Sequence, residues 1–284
     1  MKYYLLIFFS VLINPGLSYA QSAADCLIKE KEQYVIDHYD NGKVLIIVQG
    51  GPDQSLDKDV FEYIKNIQAN IFPNEKDRAT IIAAHQAQTL CGDLISSYDI
   101  PIKEATIYSD LSVEIINNII KKQKSYGNEV YLIGYSYGTL LIQDYFYKYG
   151  NTTTKNLLMV GRIHMEEKIW GHFGKGYSGY FDDNGHFVED FSEKGYIEKN
   201  NNKIASILGR VNYIEKLDNV NFKNTAYIYS SIDERIGPLN KNEISFLKER
   251  DAKVISLEYS HEKTMLFKIR EGIAWLISDL SYKH

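Results

Sequence analysis

The sequence predicts an α/β fold: a mostly parallel, doubly wound sheet with a small inserted lid. Three observations carry this. Short apolar runs alternate with longer stretches of helical spacing along the 284 residues. The clearest run, Val44-Leu45-Ile46-Ile47-Val48, is continuous rather than alternating, as a strand buried on both faces requires. The segment Gly134-Tyr135-Ser136-Tyr137-Gly138 stands between a run of strand type and a run of helical type.

The first twenty residues read as a secretory signal peptide ahead of the fold. Met1-Lys2-Tyr3-Tyr4 carries one positive charge, an apolar run covers 5–13, and Asn14-Pro15-Gly16 breaks it. Ser18-Tyr19-Ala20 supplies the small residues for a cut after Ala20. The run is shorter than the ~20 apolar residues of a membrane span, and no stable span is expected elsewhere. The expected location is therefore secreted or periplasmic. Beyond the leader, strands are expected at 44–48, 80–84, 130–133, 157–160, 225–229 and 254–257. Helices are expected over 56–71, 111–124 (capped by Ser109-Asp110), 139–149, 242–249 and 264–280. The pattern loosens between Gly161 and Asp218, so the core is expected to comprise 21–161 and 219–284, with 162–218 as a lid.

Composition narrows the function. With 44% hydrophobic and 24% charged residues the chain is an ordinary globular one. Its net charge of −5 and lack of a basic run argue against nucleic acid as a partner. The two cysteines, Cys26 and Cys91, suit one disulfide in an oxidising compartment, the alternative being two buried thiols. No CxxC or HExxH spacing points to a metal, and no cofactor is implied.

The chemistry is expected beyond the carboxyl ends of the strands. In the Gly134–Gly138 segment, Ser136 sits on a sharp strand-to-helix turn that projects its hydroxyl above the sheet. The turn also sets the Tyr137 N–H at a helix N-terminus, where an oxyanion is held. A serine needs a base, and the base needs an orienting carboxylate, in the chain order serine, acid, histidine. After Ser136 the histidines are His164, His172, His186, His261 and the C-terminal His284. His261 alone follows a late strand and precedes the final helix. The acid expected is Asp233, after the strand at 225–229, with Glu234 beside it and Arg235 placed to pair with Glu234. The second oxyanion donor is expected from Gln49-Gly50-Gly51-Pro52-Asp53. Proline has no N–H, so Gly51, or else Gly50, supplies it.

These residues resemble the α/β-hydrolases, and within them the proline iminopeptidase and tripeptidyl aminopeptidase group. Gln49-Gly50-Gly51-Pro52-Asp53 is similar to that group's His-Gly-Gly-Pro-Gly loop, and Gly134-Tyr135-Ser136-Tyr137-Gly138-Thr139 to its elbow. The order Ser136, Asp233, His261 completes the likeness. Gln49 and Asp53 depart from the group, as does His85-Gln86-Ala87-Gln88, where it has Asp-Gln-Arg-Gly. The resemblance implies the α/β-hydrolase fold and hydrolysis through an acyl-enzyme.

The expected activity is that of an exported serine hydrolase cleaving an ester or amide of a small molecule or short peptide. An inactive hydrolase-fold binding protein and an acyltransferase using the same triad are the alternatives. In the lid, Trp170, Phe173, Tyr177, Tyr180, Phe181 and Phe187 are candidates to wall a pocket. Glu166, Glu167, Asp182 and Asp183 are the carboxylates available to hold a substrate ammonium.

Overall fold

The computed structural model describes residues 33–278. The leader at 1–20, its cut after Ala20, and Cys26 lie outside the described residues. Cys91 is within them and buried.

Seven strands form one sheet. They are β1 (Gln33–Asp37), β2 (Lys43–Val48), β3 (Thr80–Ala84), β4 (Glu129–Tyr135), β5 (Lys155–Met159), β8 (Thr225–Ser230) and β9 (Lys253–Leu257), in the order β1-β3-β2-β4-β5-β8-β9. All neighbours are parallel except β1, which runs antiparallel to β3 with Gln33 opposite Ala84. Alternation sorts the strand side chains to two cores. Val44, Ile46 and Val48 face one, under helices α4 (Ile102–Ser125), α5 (Tyr137–Tyr149) and α9 (Lys241–Glu249). Leu45 and Ile47 face the other, under α1 (Lys58–Ile71) and α10 (His261–Ile277). Both faces are thus covered, as a parallel sheet requires. The short helices α2 (Ala87–Leu90) and α3 (Gly92–Ser97) follow β3.

Several boundaries differ from the sequence expectation for local reasons. Helix α1 starts at Lys58 because the Asp57 carboxylate caps it, accepting from Val60 N at 3.2 Å. Helix α4 starts at Ile102, directly after Pro101, rather than at 111. Ser109 caps nothing; it is buried within the helix and its hydroxyl donates to the Ile204 carbonyl at 3.2 Å. Helix α10 starts three residues earlier than expected, at His261 itself. Strand β1 was not among the expected strands; its five residues are too few for an alternation to stand out.

Between β5 and β8 lie α6 (Glu167–Gly174), the hairpin β6 (Ser178–Phe181) and β7 (Phe187–Asp190), α7 (Tyr196–Gly209) and α8 (Tyr213–Lys216). Helix α7 packs on α4 and α6. Among the described residues no helix is long and apolar enough to cross a membrane, and no cluster of metal-ligating side chains occurs.

Candidate active site

Ser136, Asp233 and His261 follow β4, β8 and β9, so all three stand on the carboxyl rim of the parallel sheet. Ser136 has φ 53° and ψ −122°, a conformation that a side-chain-bearing residue adopts at a cost. The turn is held on both sides. Ser136 N donates to the Met159 carbonyl at 2.9 Å, and its own carbonyl accepts from Thr139 N at 3.0 Å. Gly138 makes the close approach possible: a Cβ there would lie 2.2 Å from the Val48 carbonyl oxygen. The first turn of α5 therefore rests on the backbone that leads into the Gln49–Asp53 loop.

That loop is fastened by glutamines. Gln49 donates through Nε2 to the Ser55 carbonyl at 3.0 Å and accepts from Asp57 N at 2.9 Å. Gln86 Nε2 donates to the Gln49 carbonyl at 2.9 Å, and Gln88 donates in turn to Gln86. All three are buried. Gly51 adopts φ +49°, and its N–H and that of Tyr137 have no protein acceptor among the described residues. Gly50 lies against the Tyr135 ring, where an added Cβ would be 2.8 Å from it. Of the two expected donors, Gly51 is the one that lines the cavity at Ser136. The Tyr137 side chain points the other way, its buried hydroxyl 3.3 Å from Ser109 Oγ. Burial pushes that phenol well above its ordinary pKa, so it stays neutral.

His261 and Asp233 meet at 2.7 Å between Nδ1 and Oδ2, and both are buried. A carboxylate only accepts, so Nδ1 carries the proton and Nε2 the lone pair. Asp233 is fixed through Oδ1, which accepts from Arg235 N and Ile236 N, each at 2.9 Å. Glu234 accepts from His261 N at 3.0 Å. Arg235 pairs with Glu262 at 3.0 Å and not with Glu234, whose carboxylate is occupied by the start of α10. Among the described residues no hydrogen bond joins Ser136 Oγ to the His261 ring. In an empty site such contacts are often long and tighten when substrate binds.

The other histidines are elsewhere. His164 donates its backbone N–H to Glu243. His172 is buried in the inserted segment, with Nε2 2.8 Å from the Ser178 carbonyl. His186 is exposed in the β6–β7 turn.

A cavity of about 100 Å³ opens beside Ser136, Gly51 and Tyr137, walled by Leu140, Met165, Phe173, Ala205 and Ile236, with Pro52 and Arg162 also lining it. Of the six aromatics expected to wall a pocket, Phe173 reaches this cavity. Phe181 lines a separate space beside Asp233, together with Asp182 and Asp183. Glu166 and Glu167 are exposed at the start of α6. Sequence reading passed over one pair. Arg162 forms a buried, two-pronged ion pair with Glu243, Nε–Oε1 3.0 Å and Nη2–Oε2 2.9 Å. Glu243 also accepts from Ile163, His164 and Asn240 N–H groups, so it ties the base of the inserted segment to α9. The available signal was an arginine two residues after the strand expected at 157–160, which alone does not name a partner.

By structure the chain resembles α/β-hydrolases. An α/β-hydrolase enzyme from a Medee basin deep-sea metagenome library superposes with a TM-score of 0.54 at 12% identity, over 89% of this chain and 96% of that one. A lipase-esterase related protein from Clostridium acetobutylicum gives 0.54 at 12%, over 86% and 96%. A bromoperoxidase from Bacillus anthracis gives 0.53 at 12%, over 86% and 95%. The chain has the α/β-hydrolase fold. By sequence it matches no protein-family model and no curated protein.

Proposed function

We propose that the protein is a serine hydrolase that cleaves an acyl bond of a small substrate through an acyl-enzyme. The observation that carries this is the buried Asp233–His261 pair, 2.7 Å apart, which leaves the His261 Nε2 lone pair open on the same sheet rim as Ser136. Ser136 Oγ attacks the carbonyl carbon while His261 Nε2 takes its proton. The Tyr137 and Gly51 N–H groups hold the oxygen that becomes negative. Asp233 orients the imidazole and stabilises the imidazolium, which then protonates the leaving group. Water repeats the cycle on the acyl-enzyme and returns the free serine.

An ester or thioester suits this site better than an aminopeptidase substrate. None of the carboxylates offered for a substrate ammonium lines the cavity at Ser136: Glu166 and Glu167 face solvent, and Asp182 and Asp183 line the other space. Transfer of the acyl group to an alcohol or amine would use the same intermediate. Export follows from the leader, with a mature chain beginning at Gln21 and a disulfide joining Cys26 to Cys91.

The test is labelling with a fluorophosphonate, which reacts with an activated serine far faster than with an ordinary one. The expected result is a single adduct on Ser136, absent from Ser136→Ala. A folded protein that takes no label is instead an inactive hydrolase-fold binding protein.

A further inference from the structure

We infer that the acyl group accepted by this site is short, unbranched and uncharged, about four carbons long, and that Met165, Phe173 and Ala205 set the limit. The inference rests on the serine-hydrolase reading above and adds the substrate class.

Size comes first. An apolar cavity of about 150 Å³ accommodates benzene, a six-carbon ligand. The cavity at Ser136 is about 100 Å³, two-thirds of that. Counted from the carbonyl at Ser136, it encloses a butyryl group, and the outer carbons of an octanoyl chain would lie beyond its walls. Its walls come from two sources. Leu140 projects from α5, which is fixed to the elbow, and Ile236 from the loop that carries Asp233. Met165, Phe173 and Ala205 come from the inserted segment. Phe173 is backed by the Phe187 ring in an edge-on contact, centroids 5.8 Å apart. The Met165 sulfur lies against Gly209, where an added Cβ would be 3.0 Å from it. The wall is braced from behind, so chain length is discriminated rather than accommodated.

Charge comes second. An acyl group bearing an ammonium would need a carboxylate on the wall, and among the residues walling the cavity there is none. Glu243, the partner of Arg162, has both oxygens taken by that guanidinium and by three backbone N–H groups. An acyl group ending in a carboxylate fares no better. The Arg162 guanidinium is neutralised by Glu243 and also donates to the Ile236 carbonyl at 3.2 Å. A further carboxylate would share a cation that Glu243 already neutralises and so leave one net buried negative charge, which is strongly unfavourable. A neutral hydrocarbon tail alone matches the wall.

The experiment follows Ser136 labelling by p-nitrophenyl alkylphosphonates with methyl, propyl, hexyl and decyl chains, read as adduct mass on the mature protein. The alkyl group occupies the acyl pocket whatever the natural leaving group is. The labelling rate is expected to rise about fourfold per methylene from methyl to propyl, then to fall at least tenfold at hexyl and further at decyl. Ala205→Leu is expected to move the optimum to methyl. Met165→Ala is expected to speed hexyl labelling about tenfold, with folding of both variants checked by thermal unfolding. Among p-nitrophenyl esters of equal length, butyryl is expected to turn over at least tenfold faster than β-alanyl or hemimalonyl. A flat profile, an optimum at hexyl or decyl, or preference for a charged ester overturns the inference while labelling at Ser136 upholds the hydrolase reading. Absence of labelling by every chain and by fluorophosphonate overturns both.

Discussion

The carboxylate of Glu234 accepts a hydrogen bond from the backbone N–H of His261 at 3.0 Å. His261 is the first residue of α10, and its N–H is one of the four that a helix start leaves without an intrahelical partner. Ser260, the residue before it, caps Lys263 instead. The backbone of the histidine is thus held by Glu234 and its ring by Asp233, the adjacent residue. The Glu234 carbonyl in turn accepts from Phe181 N at 2.8 Å, so the β6–β7 hairpin rests on the same loop. Glu234→Ala is expected to lower kcat about tenfold, with stability reduced by about 1 kcal/mol from the lost cap. Glu234→Gln keeps an acceptor and is expected to stay within about threefold of the parent. Equal losses in the two variants, measured on a p-nitrophenyl ester, would show that the hydrogen bond to His261 is not the reason.

Ser136 stores strain that a glycine would release. Its φ of 53° with ψ −122° costs about 1–3 kcal/mol for a residue with a side chain. Glycine gives back about 0.5–1 kcal/mol of that as chain entropy. Ser136→Gly and Ser136→Ala both lack the nucleophile. The glycine variant is nevertheless expected to be about 1 kcal/mol the more stable, a melting shift of about 2–4 °C. Identical melting points would mean that the elbow is not strained in solution.

The buried glutamines predict a catalytic effect at a distance. Gln86 touches no part of the cavity, yet it holds the Gln49 carbonyl two residues before Gly51. Gln86→Ala is expected to lower kcat about tenfold with KM little changed, because a displaced oxyanion donor weakens the transition state alone. Gln68→Ala is the control. Gln68 is equally buried and makes two hydrogen bonds to the Ala79 backbone, at 2.8 and 2.9 Å, on the far side of α1. Its loss should cost stability and leave kcat unchanged. A fall in kcat in both variants would assign the effect to general loosening.

The elbow was legible because its physics is local: a strand, a serine between two glycines and a helix follow one another within a few residues. Asp233 and His261 were legible because the parallel order sends every strand end to one rim. What the sequence could not reveal depends on contacts distant in the chain. The Arg162–Glu243 pair joins positions 81 residues apart, and Gln86 reaches Gln49 across 37. No periodicity marks either. Arg235 was misread for the same reason: its sequence neighbour Glu234 is claimed by α10, and Glu262 takes its place. Ser109-Asp110 reads as a cap by composition, but the inserted segment buries Ser109 inside a longer helix.

The reversed direction of β1 bears on the expected disulfide. Because β1 is antiparallel, Gln33 lies opposite Ala84, at the carboxyl end of β3. Cys91 is buried a short way beyond that same strand end. Position 26 lies seven Cα–Cα steps before Gln33, a reach of up to about 25 Å. We propose that Cys26 and Cys91 are joined. Mass spectrometry of the protein recovered from periplasm or medium is expected to give an N-terminus at Gln21 and no thiol that alkylates without reductant. Reduction is expected to cost about 4 kcal/mol, from the long loop closed. Two alkylated thiols would rule the bridge out.

Two groups, half-buried His85 and buried Glu104, set opposite slopes on stability against pH. Burial holds the His85 imidazole down to a pKa of about 4, against 6.5 for the free side chain. The unfolded chain then binds the proton first, so the folded state loses stability as pH falls from 6.5 toward 4. Glu104 has the reverse sense. Burial raises its carboxyl, and the Tyr98 and Tyr108 hydroxyls only partly offset this. The unfolded chain ionises first, so this contribution is present below pH 4.5 and is lost as pH rises through the folded value. Glu104→Gln is therefore expected to raise the melting temperature at pH 7 and to change it little at pH 4. His85→Gln is expected to flatten the fall in melting temperature between pH 6.5 and 4. His85 also keeps no charge near neutrality, so a rate change between pH 5 and 8 that persists in His85→Gln belongs to another group. A melting curve whose acid slope is unaltered in His85→Gln would show that this imidazole is solvated rather than buried.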